Sequence, residues 1–467
     1  MAGAGDGAAI GDAGVAAIRS NFADQVAARL ERIPYNRWHL KARVIVGVAS
    51  FFDGFDLLSI SYAMPVLVPL WHLTSQQTGL LLSAAFGGQI LASFFFGWFA
   101  ERYGRMSALM LSTGLYSLMS LGCAFAWDFN SLFVMRAIEG FGIGGEVPIA
   151  AAYISEIARA KGRGRFFLLY ELLVPLGLLG AVVLGWVMVP RLGWQSLFVV
   201  GALPAFLAFF LRRLLPESPR WLAARGRDRD AETALSRIEA ASTKALGQPL
   251  PLPGAPIATI VQRASIKEFF GPVYLPRTLT VWVAWFSCFF IGFGLTTWLP
   301  SIYRGVFKMS LADALWYGVI ASSSSLIGCL VCSLLIDIVG RRRWFCLAFA
   351  ACAPVMFWIW YHGPSSAEFI LAWVCVAGFF NSTISLCVFL YTPEIYPTRM
   401  RAFAVSMAAL WGRIGSAVAP NVVGFLLASS GLGTVFLIFG LVAVFAAVIS
   451  GLFLVESKGR VLEELSP

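Results

Sequence analysis

The sequence predicts an all-α membrane protein with twelve transmembrane helices in two six-helix halves. Three observations predict it. Of the 467 residues, 59% are hydrophobic and 13% charged, whereas an ordinary soluble protein carries about 25% charge. The apolar residues fall in stretches of about 20 or more, long enough to cross a roughly 30 Å hydrocarbon core as helices. Charged landmarks also recur at a spacing near 236 residues. A soluble enzyme is excluded, because no core in a chain of this length holds so much apolar surface. The stretches are continuously apolar rather than alternating, which favours helices over a barrel.

Taken in order, residues 1–41 read as a cytoplasmic tail. Its Gly/Ala-rich start, with Asp6 and Asp12, lacks the basic and apolar regions of a cleaved signal. Spans follow at 42–68, 76–100, 107–127, 130–156, 166–190 and 195–214, forming an N-terminal bundle over 42–214. The polar interval 215–275 contains Pro249, Pro251, Pro253 and Pro256 and is read as a linker. Apolar residues at helical spacing from Pro219 to Ser242 predict short helices there, packed on the cytoplasmic face. A C-terminal bundle over 276–455 holds spans at 278–303, 312–338, 344–361, 367–392, 402–429 and 432–455. Residues 456–467 form a second tail.

The net charge of +10 is topological. Of the 35 Lys and Arg residues, 30 lie before the first span, in the even-numbered connections or at the C-terminus. Three, Arg191, Arg304 and Lys308, lie in the odd-numbered connections, and Arg136 and Arg413 lie inside spans. That asymmetry places both termini in the cytoplasm of an inner or plasma membrane. No basic stripe is interleaved with a nucleic-acid-binding motif, so nucleic acid is not an expected partner. The eight cysteines sit in or beside spans, and the pair Cys329 and Cys332 reads as small-residue helix packing. The histidines, His39, His72 and His362, lie near span ends, which argues against a buried histidine proton relay.

The repeat is specific. Glu101, Gly104 and Arg105 superpose on Asp337, Gly340 and Arg341, each 236 residues on. Glu156 matches Glu394 at 238, and Glu217 matches Glu456 at 239. Together with Arg136-Ala-Ile-Glu-Gly-Phe-Gly-Ile-Gly-Gly-Glu in span 4, Pro216-Glu-Ser-Pro-Arg-Trp-Leu after span 6 and Pro393-Glu-Ile-Tyr-Pro-Thr-Arg-Met-Arg after span 10, the pattern resembles the major facilitator superfamily. The resemblance covers nearly the whole chain. It narrows to the branch of sugar porters, organic ion transporters, the synaptic vesicle glycoprotein and metabolite/proton symporters. Ile33-Pro34-Tyr35-Asn36-Arg37-Trp38-His39, followed by Asp53-Gly54-Phe55-Asp56, looks most like the niacin permeases of that branch. Asp-Gly-Phe-Asp also resembles aromatic acid/proton symporters.

A bundle that rocks about a central site needs contacts on the cytoplasmic face that hold and then break. Glu101, Arg105, Glu156 and Arg163 in the first half, with Asp337, Arg341, Glu394 and Arg401 in the second, are the expected gate. Glu101 or Asp337 would pair with an arginine and with the positive N-terminal end of a neighbouring helix. The alternative is that these residues are topology anchors in solvated loops.

A charge at the centre of a span costs roughly 2.5 to 3.5 kcal/mol on insertion scales, so each one is a functional candidate. There are seven: Asp53, Asp56, Arg136, Glu139, Glu146, Glu171 and Arg413. Asp53 and Asp56 are one turn apart on a span expected to line the central cavity, which suits them to take and release a proton. Glu146 is the next candidate. Arg136, Glu139 and Glu146 share a helical face, with Arg136 a substrate contact or a purely structural partner of Glu139. Arg413 has no acid within one turn, and its planar guanidinium suits a carboxylate held through two hydrogen bonds. An ion pair with Asp53, Asp56 or Glu171 is the alternative. Gln89 and Asn381 are expected to hydrogen-bond the substrate, and Tyr170, Phe289, Trp298 and Tyr391 to stack on it.

The expected function is proton-coupled import of a small organic acid by alternating access, with nicotinate the specific choice. A benzoate-type acid symporter, an organic cation or sugar-type carrier, and a membrane sensor are the alternatives. A GxxxxGK[ST] stretch, HExxH and GxSxG are absent from the sequence, so neither ATP-driven transport nor an enzyme is expected. The expected energy source is the proton gradient without a cofactor, in a monomer whose partners are the substrate, protons and the bilayer.

Overall fold

The computed structural model describes residues 22–159, 166, 169–254 and 266–457. The first half contains α2 (Arg37–Leu70), α3 (Ser75–Tyr103), α4 (Arg105–Ala124) and α5 (Phe129–Ile157). Its fifth pass is the short α6 (169–171) running into α7 (Leu173–Leu192), and its sixth is α8 (Gln195–Gly201) with α9 (Pro204–Leu214). The second half contains α13 (Leu275–Gly305), α14 (Leu311–Val339), α15 (Arg341–His362), α16 (Ala367–Glu394), α17 (Thr398–Ser429) and α18 (Leu432–Phe453). An N-terminal α1 (22–31) and the linker helices α10 (Pro219–Ala224), α11 (Asp228–Leu246) and α12 (Ile266–Phe269) complete the chain. The twelve membrane-length passes are those read from the sequence. The outer parts of both tails, at 1–21 and 458–467, lie outside the described residues.

Local chemistry sets the helix starts. Asn36 accepts the Trp38 N–H at 2.8 Å to open α2, and capping boxes at Thr74 with Gln77 and Asp128 with Ser131 open α3 and α5. Among the described residues, eleven helices are long and apolar enough to cross a membrane by composition. The twelfth pass, α5, buries Arg136, Glu139 and Glu146, and these charges dilute an otherwise apolar 29-residue helix. Pro204 interrupts the sixth pass between α8 and α9, where a proline cannot donate to the helical ladder.

Helix contacts repeat between halves. α3 packs on α5 as α14 packs on α16; α2 packs on α7 as α13 packs on α17; α4 packs on α9 as α15 packs on α18. The halves meet through α3 against α17, α7 against α14, and α2 against α13. The first two pairings exchange under the same correspondence, as a pseudo-twofold axis requires.

One apolar cluster is shared by both halves, joining Met64, Leu81 and Trp194 to Trp298, Tyr303 and Met356. It occupies the end of the bundle away from the linker. The other two clusters are separate: Phe96, Tyr153 and Leu211 pack with Leu30 of α1 and Leu235 of the linker, while Tyr274, Phe345 and Tyr396 pack within the second half. The halves thus share a core on the face opposite the linker and keep their own cores on the linker face.

The linker packs on the first half through apolar burial and on the α1 segment through ion pairs. Arg29 meets Glu232 and Glu239 at 2.7 Å each, and Arg32 meets Glu239 at 2.6 Å. The hydrogen bond from Arg29 holds the Glu232 carboxyl below its usual range. At Glu239 burial pushes upward, but Arg29 and Arg32 outweigh it and its carboxyl is lowered too.

Candidate functional site

Two groups of buried charge occupy the middle of the first half. In the first, Arg136 pairs with Glu139 at 2.7 Å and donates to the Asp56 backbone carbonyl at 3.2 Å. Cys123 donates to Glu139 at 3.5 Å, and Ser120 donates to Asp56 at 3.2 Å. The Asp56 side chain lies where a Cβ at position 201 would stand, so Gly201 makes room for it. Among the described residues, Asp56 Oδ2, Glu139 Oε1 and Arg136 Nε have no hydrogen-bond partner. Two fully buried carboxyls beside one guanidinium leave a site that a proton would complete.

The second group lies on the next face of α2. Ser50 donates to Glu146 at 2.9 Å, and its hydroxyl shares a 2.6 Å hydrogen bond with the Tyr170 hydroxyl. Glu146 Oε2 and Asp53 Oδ1 lack hydrogen-bond partners among the described residues. Asp53 lies within the field of Arg413 and of Glu171, and Glu146 within that of Asp53 and Glu171. Asp53, Glu146 and Tyr170, expected from the sequence, are therefore brought together. Asp56 joins the separate group built on Arg136.

Arg413 reaches across from α17 into the first half. It donates to the Gln89 carbonyl at 3.4 Å, to the Gly144 carbonyl at 3.3 Å and to the Ser93 hydroxyl. Among the described residues no carboxylate lies in ion-pair contact with it, so the alternative of a direct pair with Asp53, Asp56 or Glu171 is not what this conformation contains. The close crossing of α3 and α5 depends on glycine: a Cβ at Gly144 would stand 2.6 Å from the Gln89 Cα. That crossing presents both carbonyls to Arg413.

The aromatic wall of α13 packs on α17 at the residue before Arg413, where a Cβ at Gly412 would stand 2.9 Å from Trp285 and 3.1 Å from Phe289. Phe289 stacks on Trp285 at 5.4 Å and on Phe293 at 6.1 Å, and Phe293 meets Phe86 of the first half at 4.9 Å. Asn381 donates to the Cys288 carbonyl at 3.2 Å, while Asn381 Oδ1 and Gln89 Nε2 are buried and have no partner among the described residues. Two expected contacts are not brought here. The Trp298 indole donates to the Pro420 carbonyl at 3.0 Å within the shared core. The Tyr391 hydroxyl is bracketed by Val455, donating to its carbonyl at 2.8 Å and accepting from its N–H at 3.1 Å. Both polar atoms are already used in holding helices together. Cys329 and Cys332 likewise donate to the Ser382 and Thr383 carbonyls, at 3.4 and 3.3 Å.

The loop motifs form two matching clamps, each inside its own half. Arg105 meets Glu101 at 2.8 Å and Glu156 at 3.1 Å; Arg341 meets Glu394 at 2.9 Å. The helix N-terminus beside each arginine is held by another acid, and in the first half that acid is not Glu101; the Asp337 side chain lies outside the described residues. Glu217 accepts the N–H groups of Arg105 and Met106 at 2.9 and 3.1 Å, and Glu456 accepts those of Arg341 and Arg342 at 2.9 and 3.2 Å. Burial pushes the Glu217 carboxyl up, against the opposing pull of these N–H groups. Gly104 and Gly340 precede the two arginines with φ of 105° and 93°, a region that favours glycine. Arg163 lies outside the described residues. Asp337 occupies the last turn of α14, and Arg401 the first turn of α17. The sequence repeat had marked Glu217 and Glu456 without assigning them this capping role. No comparable signal marked Ser50, Ser93 or Ser120.

Known proteins match this chain in sequence and in fold. A family described as "Sugar (and other) transporter" matches residues 36–467. The niacin transporter NiaP of Acinetobacter baylyi is 32% identical over 448 residues, covering 94% of this chain and 98% of that protein. The synaptic vesicle 2-related protein of Xenopus laevis is 30% identical, covering 94% of this chain and 82% of that one. The crystal structure of a D-xylose-proton symporter matches the fold with a TM-score of 0.70 at 19% identity, over 90% of this chain and 99% of the other.

Proposed function

The chain belongs to the sugar (and other) transporter family of the major facilitator superfamily, and on that premise we propose that it imports a small organic acid, nicotinate most specifically, together with protons. It is a multi-pass membrane transporter; the substrate and the coupling ion are the proposal. The observation that carries the substrate class is Arg413. Its guanidinium sits where the halves meet, bonded to uncharged oxygens, and a carboxylate would meet it with two charge-assisted hydrogen bonds. The similarity to the niacin transporter of Acinetobacter baylyi supports a pyridine carboxylate. The stacked Phe289 and Phe293 of α13, which packs on α17 next to Arg413 at Gly412, suit a flat ring.

Proton coupling is supported by carboxylate oxygens of Asp53, Asp56 and Glu146 that have no hydrogen-bond partner among the described residues. Each belongs to a group with more acids than cations, which favours holding a proton. In this reading no cofactor is needed, and the monomer sits in an inner or plasma membrane with both termini and the linker in the cytoplasm. The same aromatic wall supports a benzoate-type acid as the second reading. The test is uptake of radiolabelled nicotinate into proteoliposomes, competed by benzoate, nicotinamide, xylose and an organic cation. Competition by nicotinate and benzoates alone supports the carboxylate class. Competition by the cation or the sugar, with none by a carboxylate, overturns it.

A further inference from the structure

We propose that Arg413 is a latch between the halves as well as a carboxylate ligand, so that a bound carboxylate releases α17 from α3 and α5. This rests on the carboxylate reading above. The argument starts from the seam itself. α3 and α17 run antiparallel, and their contacts descend in register: Gly424 against the Ser75 carbonyl, Asn421 donating to Ser83 at 2.9 Å, then Arg413 donating to Ser93 and the Gln89 carbonyl. The upper contacts lie beside the apolar cluster that both halves share. Arg413 stands where that shared core gives way to the separate cores of the linker face. Its bonds to Ser93, Gln89 and Gly144 therefore join the halves next to the line about which they would part.

The chemistry makes these bonds replaceable. Carbonyls and a hydroxyl are neutral acceptors, and a carboxylate is a stronger one by roughly a factor of two. Of the five coplanar donors of the guanidinium, Gln89, Ser93 and Gly144 take three, two on Nη1 and one on Nη2, and a carboxylate that docks end-on across those two nitrogens needs the donors they now occupy. A carboxylate that takes them removes the link from α17 to both α3 and α5. Ligand binding then changes the balance between conformations through a differential contact, as any coupled transition requires. Ser93 is the positioning residue: its hydroxyl donates to the Gln89 carbonyl at 3.0 Å while accepting from Arg413, so it aligns one acceptor and supplies another.

Hydrogen exchange of the protein in nanodiscs tests this with Ser93→Ala, measured without ligand and compared with the parent protein with and without nicotinate or benzoate. Loss of one such bond should shift the conformational balance about fivefold. We expect exchange in Ser93→Ala to rise at 75–85 and 418–429 and to fall at 96–108 and 388–396, the pattern of opening away from the linker and closing beside it. A rise at both faces, or no change, would overturn the latch. A saturating carboxylate should give the same opposed pattern in the parent protein. If Ser93→Ala gives the pattern and no carboxylate does, the latch stands and the carboxylate trigger fails. Net uptake should accelerate relative to counterflow in Ser93→Ala, since counterflow does not need return of the unloaded carrier; an unchanged ratio would also overturn the proposal.

Discussion

Glu217 and Glu456, 239 residues apart in the chain, perform the same structural act: each carboxylate caps the first turn of the third helix of a half. Glu217 takes the N–H groups of Arg105 and Met106, and Glu456 those of Arg341 and Arg342. Each also ties the chain leaving the last helix of its half back to the loop between the second and third. The internal repeat thus preserves a hydrogen-bonding arrangement as well as a succession of helices.

Removing either cap should therefore cost the same. Glu217→Ala and Glu456→Ala are each expected to lower stability by about 1 kcal/mol, the ordinary worth of a capping side chain. Thermal unfolding in detergent, read by intrinsic fluorescence, checks this. A loss confined to one of the two variants would contradict the equivalence.

The α1 clamp should be sensitive to acid. Arg29 lowers the Glu232 carboxyl, and Arg29 and Arg32 outweigh burial at Glu239, so both lie below the usual 4.5. A carboxyl lowered on folding contributes stability above its unfolded value, and that contribution is lost as pH falls through the lowered value. Glu239, at 14% exposure against 45% for Glu232, carries most of it. Hydrogen exchange of residues 22–33 should be constant from pH 7 to about 5 after correction for intrinsic rates and should rise below about 4.5. In Glu239→Gln the protection should already be lower at pH 7.

The Arg136 and Glu139 pair is buried at 1% and 0% exposure, so breaking it leaves one charge stranded. Glu139→Gln and Arg136→Met should each cost about 3 to 5 kcal/mol, and the double replacement should cost less than the sum of the two. Expression and thermal unfolding of the three variants would reveal the coupling. Additive losses would show that the pair is not a unit.

Proton coupling should divide between the two buried groups. Asp53→Asn and Glu146→Gln remove acids from the group facing Arg413, while Asp56→Asn acts on the group built on Arg136. Replacing the acid that carries the proton should abolish accumulation driven by a pH gradient while sparing counterflow. That split separates the carrier from a residue needed only for folding. If all three variants retain full gradient-driven accumulation, none of these acids is the carrier.

The bundle was legible in the sequence because its signals are one-dimensional. Continuous apolar length gave the passes, and the lopsided placement of arginine and lysine argued for their orientation. Even α5, whose Arg136, Glu139 and Glu146 weaken its apolar character, is readable because the stretch around them is long and otherwise apolar. The site was less legible, since it depends on which face of each helix meets which neighbour. Asp53 and Asp56, one turn apart, turn out to serve different groups because Gly201 and Ser120 receive one while Arg413 and Glu171 stand near the other. Trp298 and Tyr391 looked like candidate contacts because aromatic residues with a polar atom suit ligands and helix packing equally well. Only the partners at Pro420 and Val455 distinguish the two uses. Ser93 carries no sequence signal at all; its importance comes from a side chain 320 residues away.

The central claim, carboxylate import coupled to protons through this site, is tested most directly by nicotinate accumulation in proteoliposomes under an acid-outside gradient, with protein-free liposomes as the baseline. The account predicts accumulation above equilibrium that collapses when a protonophore is added and is lost in Arg413→Gln. Protein-dependent uptake that reaches the same level with the gradient abolished, or that survives unchanged in Arg413→Gln, would contradict it.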